Sequence, residues 1–498
     1  MPTVLIICLW CAFANLVTAQ PLVFEASTTT AFGDTALFHV QIPSHYDPNH
    51  PPAIIVGWHA LGGSLVEIFA HQYDEMCDQR GWIIASHQGP NDRHWNTQLP
   101  QLHCRAMLDW LDERYPFSHD SIYMCGASMG AAAGQVWHNN NCAYDDDYFI
   151  AATAGGSQIL DCQLRQEEYL AMGDTNRSMR VAFGGLPSES DSIAYEYHRY
   201  SAVHFADTTE SMHFNCLTVP VWSNWGAEQF EWDAYGHNAE RYAILRQNGA
   251  QSRFEAQGWE GHGFNIMIPE QVIPWLAQFS ANRFPDTLSL VADEDGRYYY
   301  CDVTLRDSAY TFARWDVRKD QETKRLDLAF LQNVAVVTLN FVFPWGQIDT
   351  LYCNWVSTDP VNQNTEVTLT NMPANSIAKL DGFALYRVSS DGNLTIDLAG
   401  QNEFALTFDS THVVPRQTEI VRAYPNPFNS DLTLAINPNR AGLTTINVYD
   451  VLGRLAQSTT VQLYLQVNTV HLSVPDLSSG AYWIRSGDSA PVKVVLIR

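Results

Sequence analysis

The chain has 498 residues, too many for one hydrophobic core, since single cores stop growing near about 250–300 residues. Its 54 Asp and Glu outweigh 28 Lys and Arg, a formal charge of −26 that opposes nucleic acid and anionic lipid as partners.

Residues 1–19 hold the apolar run Val4 to Ala14 and end at Val17-Thr18-Ala19, the pattern of a secretory signal peptide cut after Ala19, although no Lys or Arg precedes the run. No later stretch is apolar enough to span a bilayer, so the mature chain is expected to have no transmembrane segment. Eight of the ten cysteines lie beyond the signal, an even number that permits disulfides in an exported chain. Cys301 with Cys353 is the first pair that position suggests, and Cys142 with Cys162 the second. Beyond the signal no Cys-x-x-Cys pair occurs, so neither a zinc nor a redox centre is expected.

From about Leu37, strand-like and helix-like patterns alternate, which predicts a mostly parallel sheet with helices on both faces. Strands are expected at Ala53–Trp58, Trp82–Ser86, Ser121–Cys125, Tyr148–Ala154, Thr218–Trp222 and Arg253–Gln257. Helices are expected at Leu65–Gln79, at Leu102–Tyr115, at Ala131–Val136 directly after Gly126-Ala127-Ser128-Met129-Gly130, and within Ile268–Asn282. About sixty residues separate the strands at Tyr148–Ala154 and Thr218–Trp222, a link long enough to cover the sheet as a lid. Tyr195, Tyr197, His198, Tyr200 and His204 cluster in it, either as stacking surfaces or as the lid's own core. Beyond Asp286 the chain turns to short β-rich runs, including Tyr298–Val303, Val334–Leu339 and Glu366–Leu369, as in a β-sandwich. The last eighty residues form another such set.

The chemistry centres on Gly126-Ala127-Ser128-Met129-Gly130, between the buried run Ser121–Cys125 and the small residues Ala131-Ala132-Ala133-Gly134. A sharp strand-to-helix turn needs small residues two positions either side of its apex, and it exposes Ser128 as a nucleophile. Serine then needs a base, an acid to orient that base, and donors for the oxyanion. His262, in Glu260-Gly261-His262-Gly263-Phe264 directly after the last strand, is the candidate base. The segment Gly226 to Asp233 holds three carboxylates; Asp233 is chosen as the acid, with Glu228 the competing choice. The backbone N–H of Met129, with that of Leu61 in His59-Ala60-Leu61-Gly62-Gly63, supplies the oxyanion hole. Trp58, Trp225, Trp232 and Trp259 flank these loops, as a cleft lining or as core.

These motifs, with Tyr200-Ser201-Ala202-Val203-His204, fall in an order that resembles the α/β-hydrolase superfamily, in its secreted esterase and prolyl-oligopeptidase-like branches, over roughly Ala53 to Phe279. The resemblance implies an α/β-hydrolase fold and a serine–histidine–acid triad that needs no metal and no cofactor. Only about thirty residues separate the signal from the first strong strand, which leaves no room for the β-propeller of the oligopeptidases and favours an esterase. The region Arg306 to Phe341 resembles the β-rich domain that follows some secreted esterase-type domains. The carboxyl-terminal motifs Tyr424-Pro425-Asn426-Pro427-Phe428-Asn429, Val448 to Arg454, Leu477 to Tyr482 and Lys493 to Ile497 resemble the type IX secretion sorting domain, which implies export by that machinery to the cell surface or beyond.

The expected organisation is therefore a signal peptide (1–19), an α/β-hydrolase domain (20–285), a β-rich accessory domain (286–415) and a sorting domain (416–498), the last two sandwich-type. The expected activity is hydrolysis of an extracellular ester such as an acylated polysaccharide or a polyester. A peptidase or amidase is the alternative within the class, and a surface binding protein without activity the alternative outside it.

Overall fold

The computed structural model describes residues 20–498 apart from 175, 227–240, 244, 247–251, 259–260, 341–348, 358–364, 382–383, 399–400, 410–417 and 465–466. The signal-peptide segment and both candidate acids, Asp233 and Glu228, lie outside the described residues, as do Trp232 and Trp259.

The apolar runs of the first half assemble into one eight-stranded sheet: β1 (Leu22–Thr29), β2 (Thr35–Ile42), β3 (Ile54–Trp58), β4 (Ile83–His87), β5 (Ile122–Ala127), β6 (Ala152–Gly156), β7 (Val221–Trp225) and β8 (Ser252–Ala256). The order across the sheet is β1-β2-β4-β3-β5-β6-β7-β8. β2 runs antiparallel to both β1 and β4, and every pairing from β4 onward is parallel. Strands covered on both faces must be continuously apolar or small, and β3, β4 and β5 are buried at every position.

Helices α1 (Tyr73–Arg80), α2 (Gln98–Arg114), α3 (Ala133–Asn140) and the closing helix Pro269–Leu276 flank the sheet strands in sequence. On one side Ile55, Ile84, Cys125 and Trp222 share a core with Tyr73, Val272, Ile273 and Leu276. The helix expected from Leu65 begins later. A short 3-10 turn at Ile68–His71 ends at Gln72, whose left-handed φ of 65° separates it from α1. Pro269 stands in the first turn of the closing helix, where its missing N–H costs nothing. The hairpin β1–β2 was not anticipated, because β1 is half-exposed and carries only weak apolar alternation.

The long link after β6 folds into α4 (Cys162–Ala171), α5 (Arg177–Phe183) and α6 (Asp191–Arg199). Here the aromatic residues pack on one another. Tyr197 stacks on Phe183 at 4.0 Å between ring centroids and donates its hydroxyl to the Gly185 carbonyl at 3.1 Å. Ser201 Oγ donates to the Tyr197 carbonyl and accepts from the Cys162 N–H. The helical segment's own core thus accounts for Tyr197.

The chain divides into two compact units, the first comprising Met1–Asn140, Asp147–Val203 and Val219–Asn282, the second Asn141–Asp146, His204–Thr218 and Arg283–Arg498. In the second unit a five-stranded and a seven-stranded sheet precede a three-stranded and a four-stranded one. The first two sheets are mixed, since Arg325–Gln332 pairs in parallel with Thr350–Ser357, and Val334–Leu339 with Thr365–Leu369. Asn215 joins this unit by exchanging two 2.8 Å hydrogen bonds with the Val291 backbone.

The disulfide expectation is corrected. All eight cysteines beyond the signal are buried free thiols. Cys301 sits on Cys301–Leu305 in the five-stranded sheet and Cys353 on Thr350–Ser357 in the seven-stranded one. Cys142 belongs to the second unit and Cys162 to the first. Each acts as a small apolar side chain, the ordinary role of buried cysteine.

Candidate active site

The elbow owes its shape to what cannot fit beside it. A Cβ on Gly126 would collide with the Gly130 carbonyl, and one on Gly130 would lie 2.6 Å from the Trp58 carbonyl oxygen and 2.7 Å from that of His59. Both positions therefore require glycine, and both serve to press the turn against the carboxyl end of β3. At the apex Ser128 has a left-handed φ of 49°, a conformation that costs a non-glycine residue about 1–3 kcal/mol and persists where the surroundings enforce it. Ser128 opens a 3-10 turn through Gly130, and α3 follows.

His262 stands in extended conformation just before the 3-10 turn Gly263–Ile266, with its side chain exposed. The turn is fitted to the elbow through Gly263, whose φ is 62°. A Cβ there would lie 3.0 Å from that of Ala127 and 4.0 Å from the Ser128 nitrogen. Beneath it, a Cβ on Gly156 would strike the Gly263 carbonyl. The Gly263 N–H donates to Ser157 Oγ at 3.1 Å. The ends of β5 and β6 and the His262 loop therefore meet at backbone contact.

A polar shelf that sequence reasoning missed supports this meeting. The Ser157 N–H donates to the Asn224 carbonyl at 2.8 Å, and Ser157 itself has φ 59°. Gln158 Nε2 donates to the Ala131 carbonyl at 3.2 Å while its Oε1 accepts from Ser223 Oγ at 2.5 Å. Gln257 Nε2 donates to Asn224 Oδ1 at 3.0 Å. These bonds tie the ends of β6, β7 and β8 to the helix behind Ser128.

Of the two expected oxyanion donors, Met129 follows Ser128 directly and Leu61 lies in the loop after β3. Among the described residues nothing accepts from the N–H of either. The neighbouring amides are engaged: Ala60 N–H donates to Glu67 Oε2 at 2.8 Å, Gly62 to the Asp92 carbonyl at 2.8 Å, and Gly63 to the Ala60 carbonyl at 2.9 Å. Glu67 thus fixes the start of the loop, a role with no signature in its sequence neighbourhood. A second segment, residues 90–97, also braces the site. Trp95 and Asn96 are both left-handed, at φ 52° and 56°. The Trp95 N–H points to the Met129 sulfur at 3.3 Å, and Asn96 Nδ2 donates to the Met129 carbonyl at 2.6 Å.

Trp58 and Trp225 do not line a cleft. Both are buried, Trp58 edge-on to His87 at 4.3 Å and Trp225 stacked on Phe254 at 4.7 Å.

An eight-stranded sheet of this order, with a left-handed serine between two obligatory glycines at the tip of its fifth strand, defines the α/β-hydrolase fold. It is followed by β-sheet structure that ends in a sorting domain: residues 422–497 match the family model of a secretion system C-terminal sorting domain. That domain indicates export by the type IX system to the cell surface or the extracellular space. No helix among the described residues is long and apolar enough to cross a membrane.

No curated protein sequence matches the chain. Among solved structures it is similar to a ferulic acid esterase (13% identity, TM-score 0.35, 52% of this chain and 98% of that one). It is also similar to the fluorophosphonate-binding serine hydrolase F of Staphylococcus aureus (13%, 0.38, 51% and 98%). A Bacteroides ovatus protein solved as a candidate dipeptidyl aminopeptidase IV matches at 11% and 0.38, over 52% of this chain and only 36% of its own. These likenesses are distant, and the functional reading rests on the chain's own geometry.

Proposed function

We propose that the chain is an exported serine hydrolase, and specifically a carboxylic ester hydrolase acting on an extracellular ester such as an acylated polysaccharide or a polyester. The observation that carries this reading is the strained elbow serine at the meeting of β5, β6 and the His262 loop. Ser128 Oγ attacks the acyl carbon while His262 takes its proton, and the N–H groups of Met129 and Leu61 hold the oxyanion. The bond to the alcohol oxygen breaks as His262 returns the proton to that oxygen. Water then attacks the acyl carbon and gives its proton to His262, which passes it to Ser128 Oγ as the bond from that oxygen to the acyl carbon breaks and the carboxylic acid leaves. The orienting acid comes from the segment after β7, as Asp233 or Glu228. The division of the chain near residues 285 and 415 into hydrolase, accessory and sorting domains belongs to the same proposal.

The test is labelling by a fluorophosphonate together with turnover of 4-nitrophenyl esters across acyl lengths. Wild type should label and turn over, and Ser128→Ala should do neither. Between Asp233→Asn and Glu228→Gln, the variant that collapses identifies the acid. Cleavage of peptide anilides in preference to esters would move the assignment to a peptidase, and a protein that neither labels nor turns over any of these would be a binding protein.

A further inference from the structure

Beside the elbow lies a cleft of about 500 Å³ between residues 90–99 and α5. Its wall is joined to the oxyanion machinery at two points already described, Asn96 on the Met129 carbonyl and the Asp92 carbonyl on Gly62. A third link comes from His94, which lines the cleft with its ring 4.8 Å from that of His59. Across the cleft, the Trp95 indole N–H donates to Ser178 Oγ at 2.9 Å, and Ser178 Oγ donates to Asn176 Oδ1 at 2.6 Å. The two residues flanking Arg177 are thus bonded in place, while its exposed guanidinium has no partner among the described residues.

The second cation of the cleft, Arg93, pairs among the described residues with Asp92, at 3.8 Å, both about half exposed and therefore a pair of little energetic weight. Two guanidiniums against one carboxylate leave the cleft positive on a chain whose formal charge is −26. Val181, Ala182 and Leu99 supply apolar surface between the charges and the wall. A planar guanidinium on a backbone fixed by its neighbours is suited to paired hydrogen bonds with an oxyanion.

We propose that this cleft is a specificity subsite that takes an anionic group, carboxylate or sulfate, on the acyl or alcohol part of the substrate, with Arg177 as its principal contact and Arg93 as the second. The substrate class then narrows to acidic esters, whose approach the field of a strongly negative chain otherwise opposes. The inference rests on Ser128 being the nucleophile, so its test has one arm that does not depend on turnover.

In the first arm, kcat/KM is measured for 4-nitrophenyl butyrate, mono-4-nitrophenyl glutarate and 4-nitrophenyl 4-sulfobutyrate with wild type, Arg177→Gln and Arg177→Lys. At least one anionic ester should be preferred by wild type, Arg177→Gln should lose at least tenfold more on that ester than on the neutral one, and Arg177→Lys should recover part of the loss. An anionic-to-neutral ratio that Arg177→Gln leaves unchanged overturns the proposal. In the second arm, binding of glutaric acid monoanilide is followed by calorimetry at low and high salt. Salt-sensitive binding that Arg177→Gln abolishes supports the subsite even if no ester is turned over, a result that would fault the nucleophile and spare the cleft. Absent binding, or equal binding by wild type and Arg177→Gln, overturns it.

Discussion

Asn96 holds Met129 from behind: its side-chain amide donates to the Met129 carbonyl at 2.6 Å, and both residues are buried. The residue whose N–H is assigned to the oxyanion is therefore fixed by a loop some thirty positions earlier in the chain. Replacing Asn96 with Ala leaves that carbonyl without its donor, a loss of about 1–3 kcal/mol for a buried group. A displacement of Met129 approaching 1 Å would lower turnover on the order of a hundredfold. We expect Asn96→Ala to lower kcat with little change in KM, as measured by steady-state ester hydrolysis; a change in KM alone would show that the loop serves binding instead.

The glycines of the elbow and the histidine loop differ in what they tolerate. At Gly126 an added methyl meets backbone, which cannot retreat, so Gly126→Ala should destabilise by about 3 kcal/mol or more and abolish activity. At Gly263 the contact is a 3.0 Å approach to the Ala127 methyl, together with a left-handed cost of about 1–2 kcal/mol. Gly263→Ala should therefore fold and lose activity by tilting the His262 loop. Thermal unfolding beside ester turnover separates the two; equal melting temperatures for both variants would contradict the distinction.

Stability should depend on pH through His87 and His94. Both rings are buried, and burial first, then the adjacent His59, holds each well below the ordinary 6.5. Each Nδ1 accepts a backbone N–H, from Gly89 and Asn96 respectively, which leaves the proton of the neutral ring on Nε2. The unfolded chain binds protons at these sites near pH 6.5 and the folded chain does not. Stability is therefore full above that pH and is lost as pH falls from 6.5 toward the lowered folded values. Melting temperature recorded from pH 7.5 to 5.5 should decline, and a double variant His87→Gln, His94→Gln should decline less steeply.

The thiols give a prediction with a simple count. Burial pushes them up, to about 12 at Cys162 and Cys301, so native protein should resist alkylation at neutral pH. In denaturant the chain without residues 1–19 should titrate eight thiols, and reducing agent should leave its melting temperature unchanged. Six or fewer thiols would reveal a disulfide.

Much of this fold was legible because its strands carry local signals. Ile54–Trp58 and Ile122–Ala127 are buried on both faces and read as apolar runs, and the elbow shows itself because sterics leave glycine as the only residue at 126 and 130. The hairpin Leu22–Thr29 with Thr35–Ile42 was missed for the converse reason, a half-exposed strand without clear alternation. The roles of Glu67, Asn96 and Gln158 exist only once distant segments meet, so no local pattern announces them. The tryptophans at 58 and 225 illustrate how a residue next to a candidate catalytic loop in sequence can still be core. Three carboxylates within eight positions left the acid to be chosen by counting, and counting does not decide among them.

In the sorting domain, Phe428 is held on both sides by one strand: its N–H donates to the Val495 carbonyl at 2.9 Å, and its carbonyl accepts from the Ile497 N–H at 2.9 Å. That strand, Val492–Leu496, pairs with Gly480–Ser486 and closes a core that includes Leu432, Val448 and Ile484. The opening motif of the domain is thus docked on a segment some seventy residues downstream. A nascent chain still short of Val492–Ile497, or a fragment clipped before it, lacks both backbone partners of Phe428. The first and last motifs of the domain are therefore completed together, so that loss of the terminal strand also removes the backbone support of the opening motif.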